Sequence, residues 1–363
     1  MQIEKITLSQ FRNYTREEVV FSPRLNYIEG NNAEGKSNLL EAIYLLSTGK
    51  SFRTTKLHTL VQQGQSGFCL EALFTREGIA QELRVCYHLS PPSKQILYNQ
   101  TSYASFLPLL GIIPCILLAP EDISFIIGSP LERRKFLDLH LSQLDPLYVH
   151  HLGRYHKALQ QKNLLLKQQK QKDLLPWEQV MALSASYLVK KRIETLLLLE
   201  KDLQQFISIF SETSESFSWR YENSATSIQT EDFLLSWEKN RKKEFLLGTT
   251  LSGPHRDDIG LFLQGQEVKT YCSEGQKRCC MAALRLAEWK RFQHSLGVSP
   301  LFAVDDFAIH LDEKRQGLLS RSLAMLGQVF LTSPSFSSEQ RKRNHHVVYV
   351  TQGSIHSSLL QDA

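Results

Sequence analysis

The spacing of apolar and polar residues changes twice along this chain. At the N-terminus the two kinds alternate or form short apolar runs, as in β-strands, and residues 24–29 lead through a glycine-containing loop into a helix predicted over residues 38–47. From residue 131 to about residue 210, apolar residues recur three and four positions apart, which is the spacing of helices. After residue 251 the alternation of strands and helices returns. The pattern therefore predicts strands, a long helical interruption, and strands again.

The helical interruption and its flanks can be divided further. Residues 173–176 break the helical spacing, so we expect two antiparallel helices of about 20–25 residues, each ~30–40 Å long. Residues 211–250 are polar and then lysine-rich, and we expect them on the surface. Elsewhere we predict two strands within residues 1–29, strands at 83–88, 115–118, 301–304 and 329–332, and helices at 275–295 and after Asp312. This order predicts an α/β fold in which residues 1–130 and 250–363 form one domain and residues 131–249 a helical insertion.

Composition and charge add one regional feature. With 42% hydrophobic, 22% charged and 10% aromatic residues, the 363-residue chain is typical of a globular protein and not of a disordered or collagen-like one. The net charge is +5, but residues 154–192 contain nine basic and only two acidic side chains. Such a segment is either a solvated helix face or a surface that neutralises the phosphates of duplex DNA. The candidate DNA-binding residues are Arg154, Lys157, Lys162, Lys167, Lys190 and Lys191.

Targeting and cysteine patterns indicate a cytoplasmic protein. The first residues alternate like a strand and lack the apolar core of a signal peptide, and no apolar run approaches the ~20 residues of a membrane span. The six cysteines have no C-x-x-C or zinc-ligand spacing, so we expect reduced thiols in an intracellular protein. His150, His151 and His156 share no face with a carboxylate or thiol at ligand spacing, and we expect them on a helix surface.

A phosphate-binding motif lies between an apolar strand and a helix. Residues 30–37 match G-x-x-x-x-G-K-[ST], whose backbone N–H groups curl around phosphate oxygens at a helix N-terminus. In this motif Lys36 would reach the β- and γ-phosphates and the Ser37 hydroxyl would hold Mg²⁺. The candidate ATP-binding residues are Gly30, Asn31, Asn32, Ala33, Glu34, Gly35, Lys36 and Ser37.

Two further elements complete such a site. The apolar strand 301–304 ends in two carboxylates, of which Asp305 would hold Mg²⁺ and Asp306 would orient or deprotonate the attacking water. Thr332 and Ser333, at the end of the next predicted strand, lie where ATPases of the cassette type place a γ-phosphate sensor. A site of this composition predicts ATP binding with Mg²⁺.

An S-x-G-Q segment precedes the helix at 275–295. Residues 273–276 resemble the signature of ATPases of the ATP-binding-cassette type, in which Ser273, Gly275 and Gln276 would contact the γ-phosphate of nucleotide held by the opposite subunit. The same residues would also form an ordinary helix N-cap at Ser273. Its order, after the P-loop and before Asp305, favours the signature.

These motifs resemble the RecF family of bacterial DNA-repair ATPases, which belongs with the SMC-type cassette ATPases. The resemblance runs through nearly the whole chain. It rests on FRNY at 11–14, the P-loop followed by NLLE at 38–41, GKSFR at 49–53, PED at 120–122, GSP at 128–130, ERRKFLD at 132–138, SGPHRDD at 252–258 and SEGQKR at 273–278.

The resemblance implies an SMC-type ATPase head with an inserted short helical arm. It implies a homodimer that forms on ATP with Mg²⁺, with Asp312 reaching across the dimer, and a weak DNA-stimulated ATPase that acts as a switch in repair, recombination, replication and the SOS response. The implied partners are double-stranded DNA, junctions of single- and double-stranded DNA, and RecR, with RecO and RecA in the same pathway. The implied location is the nucleoid-associated cytoplasm.

Some positions depart from the family pattern or have two interpretations. Ile309 and His310 replace the family's usual residues before Asp312, which puts the hydrolysis rate in doubt, and Glu34 replaces a common glutamine and is expected to point outward. Four further groups of residues have both a functional and an ordinary structural interpretation. The functional interpretations are a contact with adenine for Arg12 and Asn13, coupling of the metal to the helical lobe for Glu121 and Asp122, a contact with the nucleotide or the partner subunit for His255 and Arg256, and a DNA contact for the basic run 341–343.

Other classes of protein remain as alternatives. One is a DNA-binding module whose ATPase is vestigial, and another is the head of a different SMC-like repair ATPase with nuclease partners. The short arm and the lack of a C-x-x-C hook argue against the latter. A membrane-transporter cassette is disfavoured because such cassettes lack a long basic helical insertion.

Overall fold

The computed structural model describes residues 1–210, 216–225, 228–307, 312–336 and 346–358. The strands in chain order are β1 Gln2–Phe11, β2 Tyr14–Val20, β3 Leu25–Glu29, β4 Gly67–Arg76, β5 Ile79–Leu89, β6 Pro92–Tyr98, β7 Thr101–Tyr103, β8 Cys115–Leu118, β9 Phe217–Glu222, β10 Asp258–Leu263, β11 Gln266–Glu267, β12 Leu301–Val304, β13 Val329–Ser333, β14 His346–Thr351 and β15 Ser354–Ser358. The α-helices are α1 Lys36–Thr48, α2 Ser124–Ile127, α3 Pro130–Leu144, α4 Pro146–Lys167, α5 Leu174–Phe210, α6 Thr230–Leu247, α7 Val268–Tyr271, α8 Glu274–Leu296 and α9 Glu313–Ala324.

The chain divides into two compact units. Both chain ends belong to the first unit, Met1–Asp122 with Arg278–Ala363, and Ile123–Lys277 form the second. The second unit therefore contains residues 123–130 and 250–277, which the sequence pattern assigns to the ATPase head. One reason is that β10 pairs along its whole length with β9, a strand inside the insertion. The assignment of these units to an ATPase head and an inserted helical arm stays a prediction.

The first unit contains two six-stranded sheets. One is antiparallel, in the order β2-β1-β4-β5-β6-β7. The other has the order β15-β14-β3-β13-β12-β8, with every neighbouring pair parallel except β14 and β15. The strands β3, β12 and β13 are buried along their full length, as expected of parallel strands. Their carboxyl ends meet at one edge of the sheet, so the residues after β3, β12 and β13 come together.

The antiparallel sheet corrects two expectations. Residues 1–29 form three strands, because the segment before β3 is a hairpin in which Phe11 opposes Tyr14. Cys69 and Cys86 face each other across β4 and β5 and form a disulfide, where we expected reduced thiols. The two lie 17 residues apart on neighbouring strands, and only the register of the ladder makes them partners.

The second unit is built around long helices, and it also contains the three-stranded sheet β11-β10-β9. The break between α4 and α5 is close to the predicted one, but Pro176 lies in the first turn of α5, where its missing N–H costs nothing. α4 has 22 residues as expected, whereas α5 has 37, well beyond the predicted 20–25. A further break precedes α4, where the Asp145 carboxylate accepts hydrogen bonds from two backbone N–H groups and caps the helix.

The segment 211–250 is only partly on the surface. Its helix α6 packs Phe233 and Trp237 into the core of the second unit, and both side chains are completely buried. The surface expectation is therefore wrong for this face of α6. Within the described ranges, no helix combines the length and the apolar character that crossing a membrane requires.

Candidate nucleotide-binding site

The loop between β3 and α1 has a backbone that only small residues permit. A Cβ on Gly30 would lie 2.2 Å from the carbonyl oxygen of Val350 in β14. Gly35 has φ +124° and a Cβ there would lie 2.7 Å from the Asn13 side chain, and Ala33 has φ +68°. The glycines are thus required by packing and by conformation, as expected of a P-loop.

Neighbouring strands hold the outer side of this loop. The Asn13 amide donates to the Glu34 carbonyl at 2.7 Å, and the Tyr14 hydroxyl donates to the Gly35 carbonyl at 2.9 Å. Glu34 is half-buried, and its carboxylate accepts a hydrogen bond from the backbone N–H of Gln352 in the β14–β15 turn. These bonds fix the backbone of the loop at Glu34 and Gly35.

Arg12 is engaged elsewhere in the structure. Its guanidinium makes a bidentate ion pair, at 2.8 Å for both bonds, with the Glu41 carboxylate of α1, which is fully buried. This pair joins two segments of the family pattern, FRNY and NLLE. The proposed contact of Arg12 and Asn13 with adenine stays a prediction.

The Lys36 side chain curls into the loop. Only 5% of the residue is exposed, and its ammonium donates to the carbonyls of Gly30 at 2.7 Å and Asn31 at 2.8 Å. Burial lowers the pKa of Lys36, while the nearby carboxylates of Asp306 and Asp305 act in the opposite direction. A buried ammonium whose hydrogen bonds within the described ranges go to backbone carbonyls is suited to exchange them for phosphate oxygens.

Asp305, which follows β12, is hydrogen-bonded to side chains of α1 and β13. Its Oδ1 accepts hydrogen bonds from the Ser37 hydroxyl at 2.8 Å and from the Thr332 hydroxyl at 2.8 Å. Thr332 in turn accepts from the backbone N–H of Asp306 at 2.8 Å. The structure thus brings together Ser37, Asp305, Asp306 and Thr332, as the order of motifs predicts.

The same cluster fits a divalent cation. Burial raises the pKa of Asp305, because only 5% of the residue is exposed and its charged form is poorly solvated. A carboxylate and a hydroxyl are oxygen ligands of the kind Mg²⁺ prefers, and a cation would supply the charge that burial denies the carboxylate. Ser37 belongs both to the phosphate-binding motif and to this group of candidate cation ligands, because its hydroxyl is bonded to Asp305.

The S-x-G-Q segment begins α8 as a capped helix. The Ser273 hydroxyl accepts from the backbone N–H of Gln276 at 3.2 Å, and the Gln276 side chain accepts from the backbone N–H of Ser273 at 2.9 Å. This reciprocal pair is a capping box, so the structural interpretation holds. Ser273 and Gln276 remain accessible at the helix start, and the role of Ser273, Gly275 and Gln276 across a dimer stays a prediction.

Asp312 caps α9. Its carboxylate accepts from the backbone N–H of Arg315 at 2.9 Å and pairs with the guanidinium of the same residue at 3.1 Å, while 55% of the side chain is exposed. Its role across a dimer stays a prediction. Ile309, His310 and the basic run 341–343 lie outside the described residues.

Asp122 has a structural partner that the sequence did not indicate. Its carboxylate pairs with the Arg285 guanidinium of α8 at 2.7 Å and accepts from the backbone N–H of Ala119 at 3.0 Å. Arg285 also contacts Glu288 at 2.8 Å. Glu121, one residue earlier, is exposed. The predicted coupling role of Glu121 and Asp122 is not tested by these contacts.

One predicted DNA contact is wrong. Lys162 is completely buried, and its ammonium pairs with Glu178 at 3.0 Å and Glu244 at 2.8 Å and lies 4.6 Å from the centre of the Trp237 ring. Helical spacing could not reveal this, because Glu244 lies 82 residues further along the chain. Of the other candidates, Lys157, Lys167 and Lys190 are exposed, and Arg154 and Lys191 are half-buried.

Two stretches of the family pattern meet inside the second unit. Arg133 of the ERRKFLD stretch pairs bidentately with Asp258 of the SGPHRDD stretch at 2.7 and 2.8 Å. His255 lies with its Nδ1 2.6 Å from the Tyr155 hydroxyl, and burial lowers the pKa of His255 to about 4. The sequence predicts a nucleotide or partner-subunit contact for His255 and Arg256, which stays a prediction, and it does not indicate the pair of Arg133 with Asp258. The charge pattern of the two stretches, three basic residues in one and two aspartates in the other, was the available signal for an ion-paired contact.

His150, His151 and His156 lie on α4, with His150 and His156 exposed and His151 half-buried. In the described ranges, no group of three or more His, Cys, Asp or Glu side chains is arranged to hold a metal ion. His151 instead stacks on Tyr187, with ring centres 4.4 Å apart.

The fold and the site define the ATPase head shared by RecF and SMC proteins. A model described as the RecF/RecN/SMC N-terminal domain matches residues 2–83. The structure of an Smc head bound to the C-terminal winged-helix domain of ScpA superimposes with a TM-score of 0.57 over 99% of both chains at 16% identity, a likeness of fold alone.

Closer relatives specify the family. The chain is 42% identical to the DNA replication and repair protein RecF of Protochlamydia amoebophila, over 92% of this chain and 94% of the relative, and 36% identical to that of Chlamydia caviae, over 99% and 100%. A solved structure described as the recombination mediator protein RecF with ATP, in the RecFOR pathway, matches with a TM-score of 0.91 at 28% identity, over 98% of this chain and 97% of that one. The chain belongs to the RecF family.

Proposed function

We propose that this protein is an ATP-controlled recombination mediator that acts on duplex DNA during repair and replication. The observation that carries the proposal is the joined cluster of Lys36, Ser37, Asp305 and Thr332, in which a P-loop, a metal carboxylate and a neighbouring strand end share hydrogen bonds. The ATP named with the similar RecF structure supports the same ligand here.

Each residue of the cluster has a chemical task in this proposal. The backbone N–H groups of residues 30–37 and the Lys36 ammonium bind the phosphates. Ser37 and Asp305 hold Mg²⁺, which supplies charge neutralisation on the phosphate oxygens. Asp306 orients the attacking water, since its backbone is fixed by the bond to Thr332.

A second copy of the chain completes the site. Ser273, Gly275 and Gln276 of one copy contact the γ-phosphate bound by the other, and Asp312 contributes across the same dimer. Nucleotide then favours the dimer because both copies contact it. The capping box supports this role, since it fixes an accessible helix N-terminus where an anion is stabilised.

The dimer handles DNA and partner proteins. Arg154, Lys157, Lys167, Lys190 and Lys191 offer positive charge for duplex phosphates near junctions of single- and double-stranded DNA. RecR is the proposed direct partner, with RecO and RecA acting in the same pathway in the nucleoid-associated cytoplasm. Turnover is slow and serves as a switch.

The test is the mass of the protein in solution with and without Mg²⁺·ATP. We expect light scattering to show a doubled mass on addition of Mg²⁺·ATP for the wild type and for Lys56→Ala, an exposed lysine of the same unit. Lys36→Ala should stay at the monomer mass, because the buried ammonium is lost. A Lys36→Ala protein that still dimerises on ATP contradicts the site. Phosphate release from the same samples separates an active switch from a binder with a vestigial ATPase.

A further inference from the structure

The second unit contains a network of four arginines and three aspartates in which the charges do not balance. It joins α3, α5, the loop before β10 and the first residue of β10, and its members are Arg133, Arg134, Asp138, Arg192, Arg256, Asp257 and Asp258. Arg133 and Arg192 are almost completely buried, at 5% and 2% exposed. One unit of positive charge is therefore left over at this place in the fold.

All three aspartates of the network are occupied. Asp258 is taken by the bidentate pair with Arg133. Asp138 pairs with Arg192 at 2.8 Å and accepts from the Tyr148 hydroxyl at 2.5 Å. Asp257 is fully buried and accepts hydrogen bonds from the side chains of Tyr221 and Ser224.

Two arginines of the network have no carboxylate partner among the residues that the structure describes. Arg134 is half-buried, and the hydrogen bond it makes goes to the backbone carbonyl of Asp257 at 2.7 Å. Arg256 is exposed, and its guanidinium has a long contact of 3.4 Å with the carbonyl of Thr250. Both guanidinium groups keep free N–H donors, since each has five.

Arg134 and Arg256 meet at one loop, because the carbonyl that Arg134 contacts belongs to Asp257, the residue after Arg256. His255 holds this loop in place. The imidazole is fixed between the Tyr155 hydroxyl, at 2.6 Å, and the Thr250 carbonyl, at 3.3 Å. The charges of Arg256, Arg134 and His156 add to burial in lowering the pKa of His255 to about 4. His255 is consequently neutral at pH 7.

We propose that Arg134 and Arg256 form a binding site for a phosphate group on the second unit. Guanidinium groups bind phosphate through paired N–H donors, and here one is held rigidly by a backbone carbonyl while the other reaches from solvent. The phosphate belongs either to the backbone of duplex DNA or to a nucleotide. The DNA source rests on the proposed function, whereas the site itself does not.

Protection from phenylglyoxal, which modifies arginine, tests the site directly on the full chain. Mass spectrometry should show that inorganic phosphate slows the modification of Arg256 relative to a chloride buffer of the same ionic strength. Modification of Arg220, which stacks on Phe262, should not change. Equal modification of Arg256 in both buffers overturns the proposal, whether or not the protein binds ATP or DNA.

Binding measurements then identify the source of the phosphate. For a DNA phosphate, Arg256→Gln should reduce the slope of log affinity for a duplex oligonucleotide against log salt by about 1, and Arg256→Lys should restore it. Lys242→Gln, which removes one exposed charge from α6 of the same unit, is the matched control and should leave the slope at the wild-type value.

The nucleotide arm uses the same variants. Weaker ATP binding by Arg256→Gln with an unchanged salt slope assigns the phosphate to a nucleotide. If Arg256→Gln and Lys242→Gln match in both titrations, the site is wrong. A wild type that binds neither ligand, yet shows protection of Arg256 by phosphate, contradicts the proposed function and not the site.

Discussion

Replacing Thr332 with valine tests whether the hydroxyl that joins two strand ends organises the metal carboxylate. Thr332 is completely buried, and its Oγ1 donates to Asp305 and accepts from the backbone N–H of Asp306, both at 2.8 Å. Valine keeps the shape of the side chain and removes both bonds. The perturbation is therefore polar, with no cavity created.

The magnitude follows from the two bonds. A hydrogen bond to a charged group contributes about 1.5–3 kcal/mol, and a buried N–H left without an acceptor costs about 1–3 kcal/mol. Because one hydroxyl makes both bonds, the effects overlap, and we expect Thr332→Val to lower the free energy of unfolding by about 3 kcal/mol. Thr332→Ser keeps both bonds and loses one methyl group, which costs about 1 kcal/mol.

The assay is urea unfolding of the wild type and both variants, with calorimetric titration of Mg²⁺·ATP on the same samples. Thr332→Val should be less stable than Thr332→Ser by about 2 kcal/mol and should bind Mg²⁺·ATP more weakly, because Asp305 loses one of its two hydroxyl donors. Equal stability and equal nucleotide affinity of the two variants would refute the reasoning.

Two further predictions concern buried charges. Lys162→Met removes the cation that Glu178 and Glu244 share in the core; Glu178 keeps its pair with Arg241, but the buried Glu244 loses its ion pair with Lys162. We expect a loss of about 3–5 kcal/mol of unfolding free energy. The folded fraction should bind duplex DNA with the wild-type salt slope, and a reduced slope in that fraction contradicts the assignment of Lys162 to the core. Asp305→Asn should abolish Mg²⁺·ATP binding and yet stabilise the nucleotide-free protein at neutral pH. The sign follows from the raised pKa of Asp305: the folded state retains the proton longer than the unfolded state, so wild-type stability falls as the pH rises through the folded-state pKa. The advantage of Asp305→Asn should grow from acid to neutral pH and then level off, and a difference that does not vary with pH in urea unfolding contradicts it.

Local pattern identified the elements that the backbone chemistry requires. Gly30 and Gly35 are needed where a side chain would collide with Val350 or Asn13, and the motif records this requirement in its spacing. The same holds for Ser273 and Gln276, whose spacing of three residues is that of a capping box. Such features are predictable because each depends on residues within one turn or one loop.

Contacts between distant segments were not predictable in the same way. Lys162 and Lys190 are alike in a helical pattern, yet the first is buried between two glutamates and the second is exposed. Cys69 and Cys86 become partners through strand register. The length of α5 was underestimated because the polar face of a long helix has the composition of a loop.

The sequence by itself determined the family, the α/β class of the head and the residues of the P-loop, because these depend on short segments in a particular order. Tertiary structure decided that Ser37 and Asp305, 268 residues apart, share a hydrogen bond, and which arginines of the second unit keep a carboxylate. The physical reason is that a charged side chain takes its role from the partners that burial leaves within reach. Those partners are selected when distant segments pack, and no local spacing encodes them.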